Sequence, residues 1–113
     1  MIKVLVTGIT GSGGSYLGEH LVENSELKVY GTTRSHTDLK NILSIKDKID
    51  LSYLDLSDFA SVYRMLFEIR PDIIFHIASI ANVKSSFVNP VNIINNNISI
   101  TLVLLEAIRT LKD

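Results

Sequence analysis

Two hydrophobic periods alternate along the chain. Ile2 to Val6, broken only by Lys3, is a run of β-branched and aliphatic residues, the pattern of a strand covered on both faces. Ile73 to Ile77 (IIFHI) is a second such run, and Leu27 to Thr33 and Ile49 to Leu54 predict two weaker strands. Helical stripes lie between them. Gly14, Leu17, Gly18, Leu21 and Val22 share one face, and Leu39, Ile42, Leu43 and the stem of Lys46 share another. Phe59, Val62, Tyr63, Leu66 and Phe67 follow i, i+3, i+4, i+7, i+8, with Ser57 or Asp58 as N-cap and Pro71 as stop. Pro90 to about Leu111 reads as one long helix, with Asn89 as N-cap and Pro90 at its first position. The order is β-α-β-α-β-α-β-α, which calls for a parallel sheet with right-handed crossovers and helices on both faces.

Composition narrows the partners more than the fold. At 113 residues the chain has room for one small domain. It is 46% hydrophobic and 20% charged, with a formal charge of -1, so it lacks the basic surplus that nucleic acid or an anionic membrane would favour. Without cysteine, disulfides and thiolate metal sites are excluded. No apolar run approaches the ~18 residues needed to cross a bilayer. The expectation is a cytoplasmic, soluble protein.

The candidate chemistry is concentrated in one loop. Five of the six glycines lie between positions 8 and 18, directly after the first strand and at the opening of the first helix. Their spacing is Gly8-x-x-Gly11-x-x-Gly14. Gly8 permits the tight turn, Gly11 lets a pyrophosphate approach the backbone, and Gly14 lets the helix pack close to the sheet. The helix start then offers unpaired N–H groups to the phosphates, and Thr10 and Ser12 can add hydroxyl donors. This context predicts a doubly wound sheet of Rossmann type with strand order 3-2-1-4 over residues 1–113.

Cofactor choice in such sites is made at the end of the second strand. A carboxylate there accepts the ribose 2′-hydroxyl of NAD and repels the 2′-phosphate of NADP. Here Val29 to His36 (VYGTTRSH) holds no acid, and Arg34 stands in its place. Arginine can grip a phosphate with two charge-assisted bonds, so NADP is favoured over NAD; a solvated surface arginine is the alternative. The third strand ends in LDLSD, which puts Asp55 at the crevice to accept from the adenine amino group, with Leu56 beside the ring. Alternatively, Asp55 only caps a turn.

These residues resemble the extended short-chain dehydrogenase/reductase family of nucleotide-sugar enzymes. TGITGSGGSYLGEHL is similar to the loop of its GDP-mannose 4,6-dehydratase branch, and Phe75 to Val91 (FHIASIANVKSSFVNPV) to that branch's fourth-strand loop. Asn97-x-x-x-Thr101 followed by LLEAIR resembles a helix of the family. Departures from the pattern are Ser12-Gly13 in the loop, Ile100 where glycine is usual, and Asn82 and Lys84 after strand four. They leave dehydratase, 4-keto-sugar reductase and epimerase open. The resemblance implies NAD(P) as cofactor, with Asp55 on the adenine and Ala78 and Ser79 along the cofactor. It also implies a nucleotide-sugar substrate of the GDP-mannose kind and a homodimer.

The resemblance further implies catalysis by a Ser/Thr and a Tyr-x-x-x-Lys pair past position 113, so residues 1–113 are expected to be the N-terminal, truncated part of a larger enzyme. None of Tyr16, Tyr30, Tyr53 and Tyr63 has a lysine four residues on, so no catalytic residue is assigned and the chain alone is expected to be inactive. The non-enzymatic alternative is an NADP-sensing module. His76 reads as a satisfied core histidine, and His20 and His36 have no partners at metal-ligand spacing. Lys84, Ser85 and Ser86 could touch a substrate phosphate, and Asn97 could order a water; a solvated loop and a helix surface are the equal alternatives. Two apolar stripes mark the last helix: Ile94, Ile98, Leu102 and Leu105, then Ile93, Ile100, Leu104 and Leu111. One should cover the sheet, and the other should meet a second copy.

Overall fold

The computed structural model describes residues 1–34, 37–78 and 90–112, the side chain of Ile93 excepted. Its elements in chain order are β1 (Ile2–Thr7), α1 (Ser12–Leu21), β2 (Leu27–Thr33), β3 (Ile49–Tyr53), α2 (Phe59–Ile69), β4 (Ile73–His76) and α3 (Pro90–Lys112). The four strands form one parallel sheet in the order β3-β2-β1-β4, the predicted topology. The central strand β1 pairs with β2 from Ile2 to Val6 and with β4 from Val4 to Thr7.

Alternation along β1 feeds two cores. Leu5 points to one face, where Val62, Met65, Leu66 and Ile69 of α2 and Leu104 and Ala107 of α3 bury it. Val6 points to the other, where it packs with Ile9, Val29 and the α1 side chains Leu17 and Leu21. On that side Ile9 fills a space left by two glycines. A Cβ on Gly31 would sit 2.5 Å from Ile9 Cγ2, and one on Gly18 would sit 3.1 Å from the Cδ1 atoms of Ile9 and Ile45. α2 ends as the sequence pattern requires. Arg70, held before Pro71, turns left-handed (φ 51°), and its N–H donates to the Leu66 carbonyl at 2.8 Å.

Three expectations are corrected. The stripe at 39–46 does not form an α-helix; it makes two 3-10 turns, Lys40–Ile42 and Lys46–Lys48. The reason lies in its hydrogen bonds: Ile42 to Leu39, Ile45 to Ile42 and Lys48 to Ile45 all span three residues. That winding buries Ile42 and Ile45 and leaves Leu43 exposed. Second, β4 is not covered on both faces. Ile74 reaches the α2–α3 core, but Ile73 and Phe75 stand exposed because α1 lies over β1 and β2.

Third, α3 is long and apolar enough, by length and composition, to cross a membrane. It reaches that average with two stripes separated by asparagines, not with an unbroken run. Leu104 and Ala107 are buried, and Val103, Ile108 and Leu111 pack against the same core. Ile94, Ile98, Leu102 and Leu105 are 57, 52, 59 and 57% exposed. Asn89, the expected N-cap, lies outside the described residues.

Candidate functional site

The loop between β1 and α1 is shaped by glycines with different tasks. Gly8 turns the chain off β1 with φ +69°, and a Cβ there would lie 2.8 Å from the Cα of Ala78. At Gly14 a Cβ would strike the Gly8 carbonyl oxygen and come within 2.9 Å of Ile9 Cα, so only glycine lets α1 rest on the turn. Gly11 and Gly13 differ. Their nearest neighbours would be 3.5 Å away at Gly8 O and 3.8 Å away at Ile77 Cγ2, ordinary contact distances. The protein's own packing does not need glycine at either position, and both border open space.

The loop aims donors into that space. Gly11 N–H turns back to Gly8 O at 3.1 Å, and the first helical bond of α1 runs from Ser15 N–H to Gly11 O at 2.9 Å. Between them, the N–H groups of Ser12, Gly13 and Gly14 meet no acceptor among the described residues. They stand at the positive end of the helix, where an anion is favoured.

A row of buried threonines anchors the loop to the strand ends. Thr32 Oγ1 accepts from Gly8 N–H at 3.1 Å, and the Thr32 carbonyl accepts from Ile9 N–H at 3.1 Å. The Thr10 and Thr33 hydroxyls pair at 2.8 Å, and Asn41 Nδ2 donates to the Thr10 carbonyl at 3.0 Å. Thr10 therefore borders the cleft with its hydroxyl already engaged. Ser12 is exposed at the helix start.

Across the cleft, Asp55 performs the capping role and keeps a free edge. Its Oδ1 accepts from Ser57 N–H at 2.9 Å and from Ser57 O–H at 2.7 Å. These bonds, and more weakly the nearby Arg34 guanidinium, hold its carboxyl below the usual aspartate value. Arg34 is exposed, and its side chain has no hydrogen bond or ion pair among the described residues.

A cleft of about 730 Å³ gathers the expected residues at the carboxyl ends of the strands. Gly8, Thr10, Gly11, Ser12, Gly14, Arg34, Asp55, Leu56 and Ala78 all line it. Ser79, His36, Asn82 and Lys84 to Ser86 lie outside the described residues. Thr32, Thr33, Thr37, Ser57, Asn96 and Ile100 also border the cleft, and sequence reasoning missed them. The Thr32-Thr33 pair at a strand's end was the available signal, and strand propensity alone explains it equally well. His76 is half-buried at the end of β4 with both ring nitrogens paired, as expected of a satisfied histidine.

The order β3-β2-β1-β4 and a glycine loop at the strand exits define a Rossmann-type domain of the short-chain dehydrogenase/reductase class. The family model for GDP-mannose 4,6 dehydratase matches residues 5–113. The chain belongs to that family. It is 35% identical over 118 residues to a GDP-mannose 4,6-dehydratase of Yersinia enterocolitica, covering 96% of this chain and 32% of that protein. A dTDP-glucose 4,6-dehydratase of Shigella flexneri is 32% identical over 113 residues, at 96% and 31% coverage. Among solved structures, the Thermus thermophilus UDP-glucose 4-epimerase in complex with NAD superposes with a TM-score of 0.82 at 34% identity. That match covers 96% of this chain and 34% of the epimerase. The chain thus spans about a third of the length of these relatives.

Proposed function

We propose that this chain is the cofactor-binding portion of a nucleotide-sugar dehydratase acting on GDP-mannose or a close analogue, and that it takes NADP. The observation that carries the reading is the pair of glycines, Gly11 and Gly13, that protein packing does not require. A backbone without Cβ atoms beside three N–H groups that are unpaired among the described residues fits a pyrophosphate. Gly8 and Gly14 shape the turn, and Ser12 adds a hydroxyl at its rim. Asp55 keeps Oδ2 for the adenine amino group beside Leu56. Arg34 holds the 2′-phosphate at a strand end that carries no repelling acid. Ala78, which lines the cleft, and Ser79, by the family resemblance, are the residues proposed along the cofactor.

A bound nicotinamide dinucleotide supplies hydride exchange with C4 of the sugar. Chain residues bind and orient it, and no tyrosine among the 113 residues has the Tyr-x-x-x-Lys spacing. The acid/base chemistry is therefore proposed to lie outside this chain. The exposed α3 stripe extends the reading to assembly, since Ile94, Ile98, Leu102 and Leu105 of two copies would cover each other in a homodimer. Such an enzyme works in the cytoplasm.

Incubating the intact enzyme with GDP-mannose, dTDP-glucose and UDP-glucose, with products read by NMR, tests the reaction. Loss of water across C5 and C6 of GDP-mannose supports the proposal; inversion at C4 makes the enzyme an epimerase and overturns it. The NAD-bound epimerase at 34% identity is the specific reason to include that second reading.

A further inference from the structure

His76 joins three elements that meet behind the cleft. Its Nδ1 lies 2.8 Å from Thr7 Oγ1 at the end of β1, and its Nε2 lies 3.1 Å from Thr101 Oγ1 on α3. The remaining bonds decide where the protons are. Thr7 Oγ1 accepts from Ile77 N–H at 3.0 Å and from Ala78 N–H at 3.1 Å. A hydroxyl has two lone pairs and one proton. With both lone pairs taken, Thr7 must donate, so Nδ1 is the acceptor and carries no hydrogen. Nε2 carries the proton and gives it to Thr101 Oγ1, which in turn donates to the Asn97 carbonyl at 3.0 Å. Every bond in the chain then has one donor and one acceptor. Doubly protonated imidazole does not fit, because an Nδ1–H would face an oxygen with no lone pair left. Burial lowers the His76 pKa, which favours the same neutral form.

The walls that this chain ties together are walls of the cleft. Thr7 precedes Gly8, whose turn is pressed against Ala78. Ile77 and Ala78 line the cleft just after β4, and Asn96 and Ile100 line it from α3, each of the latter one residue from Asn97 or Thr101.

We propose that His76 is a positioning residue: a neutral imidazole, protonated on Nε2, that braces the exits of β1 and β4 against α3 and holds three walls of the cofactor cleft in register. The brace rests on the cleft being a nucleotide site only for its effect on binding; its proton arrangement stands apart from that reading.

Imidazole nitrogen NMR on the intact protein labelled with 15N-histidine is the first test, the His76 signals being those lost in His76→Asn. The expected spectrum has Nδ1 unprotonated and Nε2 protonated at neutral pH. NADPH titration and amide exchange across residues 90–101 form the second test. His76→Leu should weaken NADPH about tenfold, the scale of one or two lost hydrogen bonds, and speed exchange in α3. His76→Asn keeps an acceptor for Thr7 and should recover most of that affinity while α3 exchange stays fast. Thr101→Val should speed α3 exchange with the Thr7 bond intact. An Nδ1-protonated ring overturns the brace, and so does a folded His76→Leu protein with unaltered affinity and exchange. The spectrum of the unmutated protein needs no bound nucleotide, and only the conservative His76→Asn variant is used to assign it. A protein that binds neither NADPH nor NADH but shows the expected ring therefore refutes the cleft reading and not the brace.

Discussion

The glycine-loop side of the sheet and the β4–α3 side are built from similar residues but finished to different degrees. Around β1, β2 and α1, most apolar groups find their complement within the chain, Ile2 and Tyr16 excepted. Ile9 occupies the volume that Gly18 and Gly31 leave free, and Thr32 receives the loop N–H of Gly8. On the other side, Ile73 and Phe75 of β4 and four residues of α3 keep large apolar faces in water. Single exposed hydrophobics are ordinary, but a stripe along a helix beside β4, an edge strand among the described residues, is the kind of surface that a partner covers. The contrast fits the two jobs proposed above: the loop side supplies most of the cleft lining, with Ala78, Asn96 and Ile100 closing it from the other side, and the exposed α3 stripe is left for assembly.

Substitutions within the glycine loop should break the loop side most severely. Gly14→Ala drives a methyl group into the Gly8 carbonyl and the Ile9 backbone, which cannot move aside without lifting α1. A loss of about 3 kcal/mol in urea unfolding is expected, the upper end of ordinary overpacking. Arg34→Ala comes next in size. A hydrogen bond to a charged group is worth roughly 1.5–3 kcal/mol, so NADPH affinity should fall about ten- to a hundred-fold with NADH almost unchanged. Calorimetric titration with both nucleotides reads that contrast, and an equal loss for both would remove the phosphate contact.

Gly11→Ala sharpens the comparison inside the loop itself. Its new Cβ meets nothing closer than 3.5 Å, so the unfolding midpoint should hold while nucleotide affinity drops about tenfold, because the methyl group occupies the phosphate approach. On the α3 side the pattern reverses. Leu102→Asp should leave NADPH binding intact and abolish self-association, read by sedimentation velocity at tens of micromolar. A monomer before mutation would contradict the dimer.

The smallest effect is on pH. Burial holds the pKa of folded His76 below its ordinary value of 6.5, so the unfolded chain takes up the proton first as pH falls. The histidine's contribution is fully present above 6.5 and is lost as pH drops from there through the folded value. His76→Asn should flatten stability measured across that window.

Much of this organisation is legible in the sequence because it is local and periodic. The runs at Ile2 and Ile73, the stripe from Phe59 to Phe67 and the glycine spacing each occupy a short window. Asp55 and Arg34 follow from their places at strand ends, and both border the cleft. The stretch from Leu39 to Lys46 reads as a helical stripe because positions 39, 42, 43 and 46 have α spacing. The structure buries Ile42 and Ile45 and exposes Leu43 and Lys46, a spacing of three set by its i→i−3 hydrogen bonds. The threonine row and the His76 chain are invisible for a different reason. Thr7 and His76 are 69 residues apart, and His76 and Thr101 are 25 apart, so their pairing exists only once β1, β4 and α3 are assembled.

The central claim is that the cleft holds a dinucleotide with a 2′-phosphate on Arg34. Titration calorimetry of the unmutated protein with NADPH and with NADH, under the same buffer and salt, tests it most directly. The account predicts saturable one-site binding of both, with NADPH tighter by about ten-fold or more. Tighter binding of NADH would contradict the phosphate contact, and binding of neither would contradict the site.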